Sequence, residues 1–441
     1  MRELVASVCL AALTACGSVD TEQVDAPPDP IDAPVTDAAP IDAPACPIGT
    51  TAMCAGAELI TCDGQGNITG TEACLLGCNA TERRCNKLAP SNNLAAFYDE
   101  AEGATDLILV GAATIDTDSG TITDTGGART PLTSTVTAGL PVGVFVIKVR
   151  SFTTGGLVTV QGTRALAIVS AGAVTIGHRL SVSARADING PGALAIDANC
   201  RGGNAGAANA NGHAGGGGGG FGTAGGRGGT GGSPTVQGGA AGGIAGVGEL
   251  IPLRGGCPGG RSGPQPASYA AGGGGGAIQI SSGTSIDIGA GGFVAANGGG
   301  GRGPSNPIFC IIDTPCGIGE GAGSGGAILL EAPSITVAAT GGVVANGGGG
   351  SCGVTGSGSA GLFSAMPAPG QTCAGDTGSG GDGAAGATAA QPGGNGLNDD
   401  PVGGGGGGGL GRIRVNLPLG TTFTPAGVVS GASSAGALAV R

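Results

Sequence analysis

The 441-residue chain has no tryptophan, two tyrosines and eight phenylalanines, so aromatic residues make up 2% of it. It has two histidines, His178 and His213, and two lysines, Lys87 and Lys148. Charged residues reach only 11%, and the formal net charge is -12. Binding to a phosphate backbone needs clustered Lys and Arg, so this balance argues against nucleic acid as a partner. Large core-forming side chains are scarce and concentrated in a few places, which argues against a compact α/β enzyme or a helical bundle. The apolar run Leu4 to Ala15 is too short to span a bilayer, which takes about 20 residues. Neither lysine follows glycine in a phosphate-loop pattern. No GGxGxD calcium repeat is present, and Gly380-Gly381-Asp382-Gly383 falls short of one.

What the chain has instead is glycine, 101 residues of it, against an average near 7%. It also has fourteen cysteines. The first sixteen residues read as an address. A short charged start, Met1-Arg2-Glu3, leads into the apolar run, which ends Leu13-Thr14-Ala15-Cys16-Gly17. This resembles the bacterial lipoprotein signal and its lipobox. The resemblance implies cleavage before Cys16, acylation of Cys16 and anchoring by several acyl chains. Gly17 in place of Asp after the Cys implies delivery to the outer membrane of a Gram-negative cell.

Residues 17–45 carry seven acids, no base and six prolines, with the phrases Val24-Asp25-Ala26-Pro27, Ile31-Asp32-Ala33-Pro34 and Ile41-Asp42-Ala43-Pro44. Such a segment cannot bury a core and reads as a disordered linker, extended by its prolines and its self-repulsion. Next come Cys46, Cys54, Cys62, Cys74, Cys78 and Cys85, within a module at 46–86. A second set, Cys200, Cys257, Cys310, Cys316, Cys352 and Cys373, is dispersed. Both sets are even, and export brings an oxidising compartment, so each is read as up to three disulfides. Six cysteines allow fifteen pairings, and sequence does not choose among them. The first set resembles the Cys-rich modules found close to the membrane in bacterial surface lipoproteins.

The remainder, 87–441, is read as a glycine-rich domain built on a strand repeat. Leu166, Ile168, Val174 and Ile176 match Ile278, Ile280, Ile286 and Ile288 at an offset of 112. Ile328, Leu330, Ile335 and Val337 repeat the pattern, and Ile413 and Val415 begin it again. Apolar residues two apart mark strands with one inward face. Short strands recurring with turns between them mark a solenoid, whose rungs share a core that none could form alone. Ala296-Asn297-Gly298 and Ala345-Asn346-Gly347 end two copies alike, and their asparagines suit αL turns and laddering. The expected fold is all-β: a right-handed parallel β-helix-like solenoid. A β-sandwich with long Gly-rich loops is the alternative. Gly-rich insertions fall near 202–276, 298–326 and 347–411. Glycine at 216, 219, 222, 225, 228 and 231 gives a period of three, compatible with packed polyglycine helices or with disorder.

From Val142 to Gly431 the chain resembles Gly-rich, β-helix-like bacterial surface proteins, including those described as PE-PGRS-like. The resemblance implies surface exposure and no particular reaction. The residues that could carry chemistry agree with that. His178 and His213 read as a rung-edge residue and a residue of a glycine tract. Asp287 and Glu331 read as outward acids, but on different copies, and no copy pairs two of them as a glycosidase would need. Asp116 and Asp118, among Thr114, Thr117, Thr121 and Thr123, could cap the solenoid edge or hold Ca²⁺. No catalytic residue, metal site or cofactor is assigned. The reading is an exported, lipid-anchored cell-surface protein with a structural or adhesive role, contacting glycans, matrix or other cells. Its partners would be the membrane, through the lipid anchor, and polysaccharide or surface proteins. A polysaccharide lyase or hydrolase on a β-helix is the rival reading.

Overall fold

A computed structural model describes residues 46–137, 142–194, 200, 203–209, 212–232, 235–262, 270–303, 319–353, 356–375, 377–397 and 402–441. The described residues belong to one unit, Cys46–Arg441. They form a nearly all-β structure with one α-helix, Ala95–Glu102. Cys16, Cys310 and Cys316 lie outside the described residues, as does the acidic linker.

Three sheets carry the architecture. A seven-stranded sheet runs in the order Leu132–Val136, Val144–Val149, Ala165–Ser170, Ala277–Ser282, Ala327–Glu331, Arg412–Leu417, Ala432–Ala437. Its first pair is antiparallel and every later pair parallel. A five-stranded, wholly parallel sheet holds Leu107–Leu109, Phe152–Thr154, Val174–Ile176, Ser285–Ile288 and Ser334–Val337. An eight-stranded sheet runs from Ala113–Asp116 through Val158–Gln161, Arg179–Ser181, Phe293–Ala295 and Gly342–Val344 to Val428–Ser430, all parallel. The antiparallel strands Ile122–Asp124 and Gly127–Arg129 complete it at the other edge. Four successive passes of the chain visit the three sheets in the same sequence order.

The sequence repeat is the register of these sheets. Leu166 pairs with Ile278 and Ile168 with Ile280. Val174 pairs with Ile286 and Ile176 with Ile288. The next copies follow in the same columns, ending at Ile413 and Val415. An earlier pass, Val144–Val149 with Phe152–Thr154 and Val158–Gln161, joins them although its sequence carries no such obvious match. The inward residues of all these strands form one buried cluster that includes Phe152, Leu166, Ile280 and Val343. Burying each aliphatic side chain contributes roughly 1.5–3 kcal/mol.

The expected single inward face holds for the five-stranded sheet and fails for the seven-stranded one. Every residue of Val144–Val149, Ala165–Ser170 and Ala277–Ser282 is buried. Their outer face packs under a second cluster made by Leu88, Leu94 and Tyr98 with Phe221, Leu253 and the cystine sulfurs of Cys200 and Cys257. The chain from Lys87 onward forms a strap across this face. It begins beside the C-terminus, where Leu88 bridges Val440, and Lys87 and Arg441 exchange backbone hydrogen bonds. Ser91 then reaches Glu331, Asn92 reaches Gln279, and the Tyr98 hydroxyl donates to the Ala171 carbonyl. Lys148 meets Glu100 at the strap's far end.

The glycine insertions are ordered where they are described. Along 215–219, successive N–H groups donate to Gly229, Gly319, Asn204, Gly226 and Ala322. Every third donor thus returns to the same neighbouring segment. The carbonyls of the same residues accept from Gly239, Gly406, Gly260, Gly242 and Gly409. The segment therefore has six backbone neighbours and three residues per turn, the periodicity of a polyproline II helix. None of Gly215 to Gly220 has positive φ. Glycine is required for the approach instead: a Cβ on Gly218 would overlap the Gly407 carbonyl.

Five disulfides are formed among the described cysteines. Cys46–Cys62, Cys54–Cys78 and Cys74–Cys85 staple the three-stranded sheet of the N-terminal module. Its Asp63 turn is held by three hydrogen bonds from Gln65 and Asn67. Cys200–Cys257 and Cys352–Cys373 lie in the glycine-rich part.

Candidate functional site

The outer face of the five-stranded sheet is one of the sheet faces left accessible among the described residues. Its outward side chains form a register column: Ile108, Thr153, Thr175, Asp287 and Thr336. These are half-buried or exposed, whereas the residues on either side of them along each strand point into the core. Neighbouring members stand one strand spacing apart, about 4.8 Å. Asp287 accepts from the Ser285 hydroxyl and from the Thr336 hydroxyl, each at 2.8 Å. Asp106, at the first edge, is held by Arg150 and Ser151, and the Arg150 guanidinium lowers its pKa to about 2.

The corner next to this column is bare because it is glycine. Gly155, Gly177 and Gly289 lie there, with Gly177 bonded to Thr154 and Gly289 to Ile176. Around the corner stands a cationic and aromatic ledge. The Arg179 guanidinium lies 4.3 Å from the Phe363 ring centroid. Phe363 meets Phe293 edge-on at 5.8 Å. His178 and Arg179 are both exposed, and among the described residues Arg179 has no carboxylate partner. Thus hydroxyls and one carboxylate line the sheet face, and one guanidinium and two rings stand on the adjoining sheet. Such a surface can hydrogen-bond and stack a polyhydroxylated ligand.

The acids singled out by sequence are not brought together. Asp287 faces outward as expected. Glu331 also points to the outer side of its sheet, but it is buried beneath the strap, which overturns its reading as an outward acid. Ser91, Gln279, Ser281 and Asn416 all donate to its carboxylate. The two carboxylates sit on different sheets. Asp116 and Asp118 are likewise engaged. Asp116 accepts from the N–H groups of Asp118 and Ser119 and from Gln161, and the bond from Ser119 leads in lowering its pKa. Asp118 accepts twice from Thr163. They lace a turn to the next pass of chain, and among the described residues no group of three or more His, Cys, Asp or Glu is arranged to hold a metal ion.

His178 stands at the sheet corner. His213 is buried in the glycine region, and burial lowers its pKa. Asn297 and Asn346 do ladder: the Asn346 N–H donates to the Asn297 side-chain oxygen, and the Ser430 hydroxyl donates to that of Asn346. Neither adopts positive φ, so the αL expectation fails for both. Their side-chain amides instead donate to the carbonyls of Gly361, Leu362 and Ser364, which fixes the loop that presents Phe363.

Several groups had escaped the sequence reading. Gly349-Gly350-Ser351-Cys352-Gly353 has nucleophile-elbow spacing. Ser351 is fully buried, though, and its hydroxyl accepts from the Glu320 N–H at 2.7 Å, so no exposed nucleophile results. Glu320 is also fully buried. Its Oε2 accepts from the Ser262 N–H, and burial pushes its pKa up to about 8. Arg179 carried no sequence signal, and Phe293 and Phe363 none beyond the scarcity of aromatic residues.

Among the described residues, fold and surface define a nearly all-β protein with a strapped, buried sheet and an accessible polar face on the five-stranded sheet. No protein-family model matches the chain, and neither curated proteins nor solved structures give a match.

Proposed function

We propose that the chain is a lipid-anchored cell-surface protein whose open sheet face contacts glycan. In this reading the three sheets are the walls of a right-handed parallel β-helix, the hand that parallel crossovers almost always take. Cys16 carries the anchor at the outer membrane, and residues 17–45 are the spacer. The 46–86 module follows. The glycine-rich domain from residue 87 stands beyond it. The role is adhesive or structural, with polysaccharide or surface proteins as partners.

The observation that carries the reading is the column Thr153, Thr175, Asp287 and Thr336 beside Arg179 and Phe363. It is regular, uncovered and rich in hydroxyls, and its period runs across the strands. A linear saccharide laid along the column would meet a similar group at each strand. Arg179 favours a polymer bearing carboxylates.

The test uses the full chain in detergent against immobilised neutral and uronic-acid polysaccharides, with release of new chain ends followed in parallel. Retention without product, lost in Thr175→Arg and weakened in Arg179→Ala, is the expected result. Product release would establish the rival enzyme reading. Absence of retention on every polymer would end the glycan reading. The anchor is tested separately: Cys16→Ser should shift the protein from the membrane fraction to the soluble one.

A further inference from the structure

The last strand of the seven-stranded sheet departs from its predecessors. Phe145, Leu166, Ile278, Ile328 and Ile413 occupy one inward register column. Ile147, Ile168, Ile280, Leu330 and Val415 occupy the next. Ala432–Ala437 continues these columns with Ser433 and Ala435. Large aliphatic side chains thus give way to a hydroxymethyl and a methyl. The five-stranded sheet ends at Ser334–Val337 and gains no strand from the stretch between Leu417 and Val428.

The result is a cavity of about 510 Å³ at this end of the inner core. Ile413, Val415, Leu417, Phe423, Pro425 and Val429 line it, and the lining holds no charged side chain. Its volume falls within the range of small-ligand sites, roughly 300–1,000 Å³. The opposite end of the core is closed, with Ile122 of the antiparallel hairpin buried in the same cluster. At the open end Leu419, the large aliphatic residue on the adjoining segment, is 93% exposed and does not fill the space.

We propose that this cavity binds a linear acyl chain, supplied by a fatty acid or by a lipid. A small ion enclosed here would lose its hydration without gaining a charged partner. A flexible hydrocarbon meets apolar walls continuous with the core, and the polar side chains of the lining are hydroxyls, among them Thr421, Thr422 and Ser433. These can hydrogen-bond an ester or carboxyl group at the end of the chain.

The experiment uses the full chain carrying Cys16→Ser, so that no anchor contributes. A fluorescent fatty-acid analogue is titrated in and displaced with free acids from decanoic to palmitic. Phosphatidylethanolamine–phosphatidylglycerol vesicles form the second arm. Saturable binding is expected, weakened about tenfold or more by Ala435→Phe, which fills the cavity in register with Val415. Ser433→Leu restores the aliphatic column and serves as the second variant, with thermal unfolding confirming that each folds. Displacement by free acids identifies a fatty acid as the source. Binding to vesicles alone, lost in both variants, identifies a lipid. The proposal is overturned if neither arm shows saturable binding, or if the binding survives both cavity-filling changes.

Discussion

Glu331 and Glu320 are both buried acids, and they differ in what surrounds them. Glu331 sits where strap and sheet meet, and five hydrogen bonds from four residues satisfy its two oxygens. Glu320 receives one hydrogen bond from Ser262, and its Oε1 has no partner among the described residues. Desolvation then dominates and raises its pKa from 4.5 to about 8, against the opposing Ser262 hydrogen bond and Arg261 charge. In the unfolded chain the group ionises above about 4.5, while the folded protein keeps the proton until about 8. The folded state therefore binds the extra proton in that window. Stability falls as pH rises through it, by up to about 1.4 kcal/mol per pH unit, and levels off above. Glu320→Gln should remove this slope and leave the variant more stable than the parent at pH near 9. Denaturant unfolding across the window checks it, and parallel pH profiles for the two proteins would refute the assignment.

At the scale of the element, the repeat was legible because pairing in a parallel sheet repeats side-chain type column by column. Leu166, Ile278, Ile328 and Ile413 could be aligned from sequence and do lie side by side. The cover on the seven-stranded sheet was not legible. Alternation marks one buried face, and nothing local tells Gln279 or Glu331 that a strap some two hundred residues earlier will bury it. The open face was half legible: Asp287 could be placed outward, but Phe363 is brought beside Arg179 by a loop that two distant asparagines hold. The period of three in the glycine tract was compatible with such a helix and equally with disorder, and it carried nothing of the six neighbours, because backbone packing has no side-chain code. That packing makes a sharp prediction. Gly218→Ala should destabilise by about 1–3 kcal/mol or more, since its Cβ meets a carbonyl in the bundle interior. Gly289→Ala, whose Cβ would find ordinary contacts at 3.7 Å, should stay within about 0.5 kcal/mol. Equal costs would mean that the tract is not packed as described.

Among the described residues from Lys87 onward, two buried layers hold the domain, one inside the three sheets and one between the seven-stranded sheet and its cover. The inner layer is apolar, mostly aliphatic with Phe145 and Phe152, and contains no cysteine. The outer layer joins three separate parts of the chain: the strap, the sheet and the glycine bundle. Cys200–Cys257 lies in that layer and closes 57 residues of the bundle. Loop-closure entropy sets its contribution near 4 kcal/mol. Replacing both cysteines by serine should therefore cost about that much, and the loss should not be spread evenly. Amide exchange should accelerate along 215–221 and 256–260, whose hydrogen bonds depend on the bundle staying closed. It should change little at Ile278 to Ile288, where the inner layer and the parallel registers persist. Uniform acceleration through both regions would instead show that the two layers unfold as one, with the strap as the element that couples them.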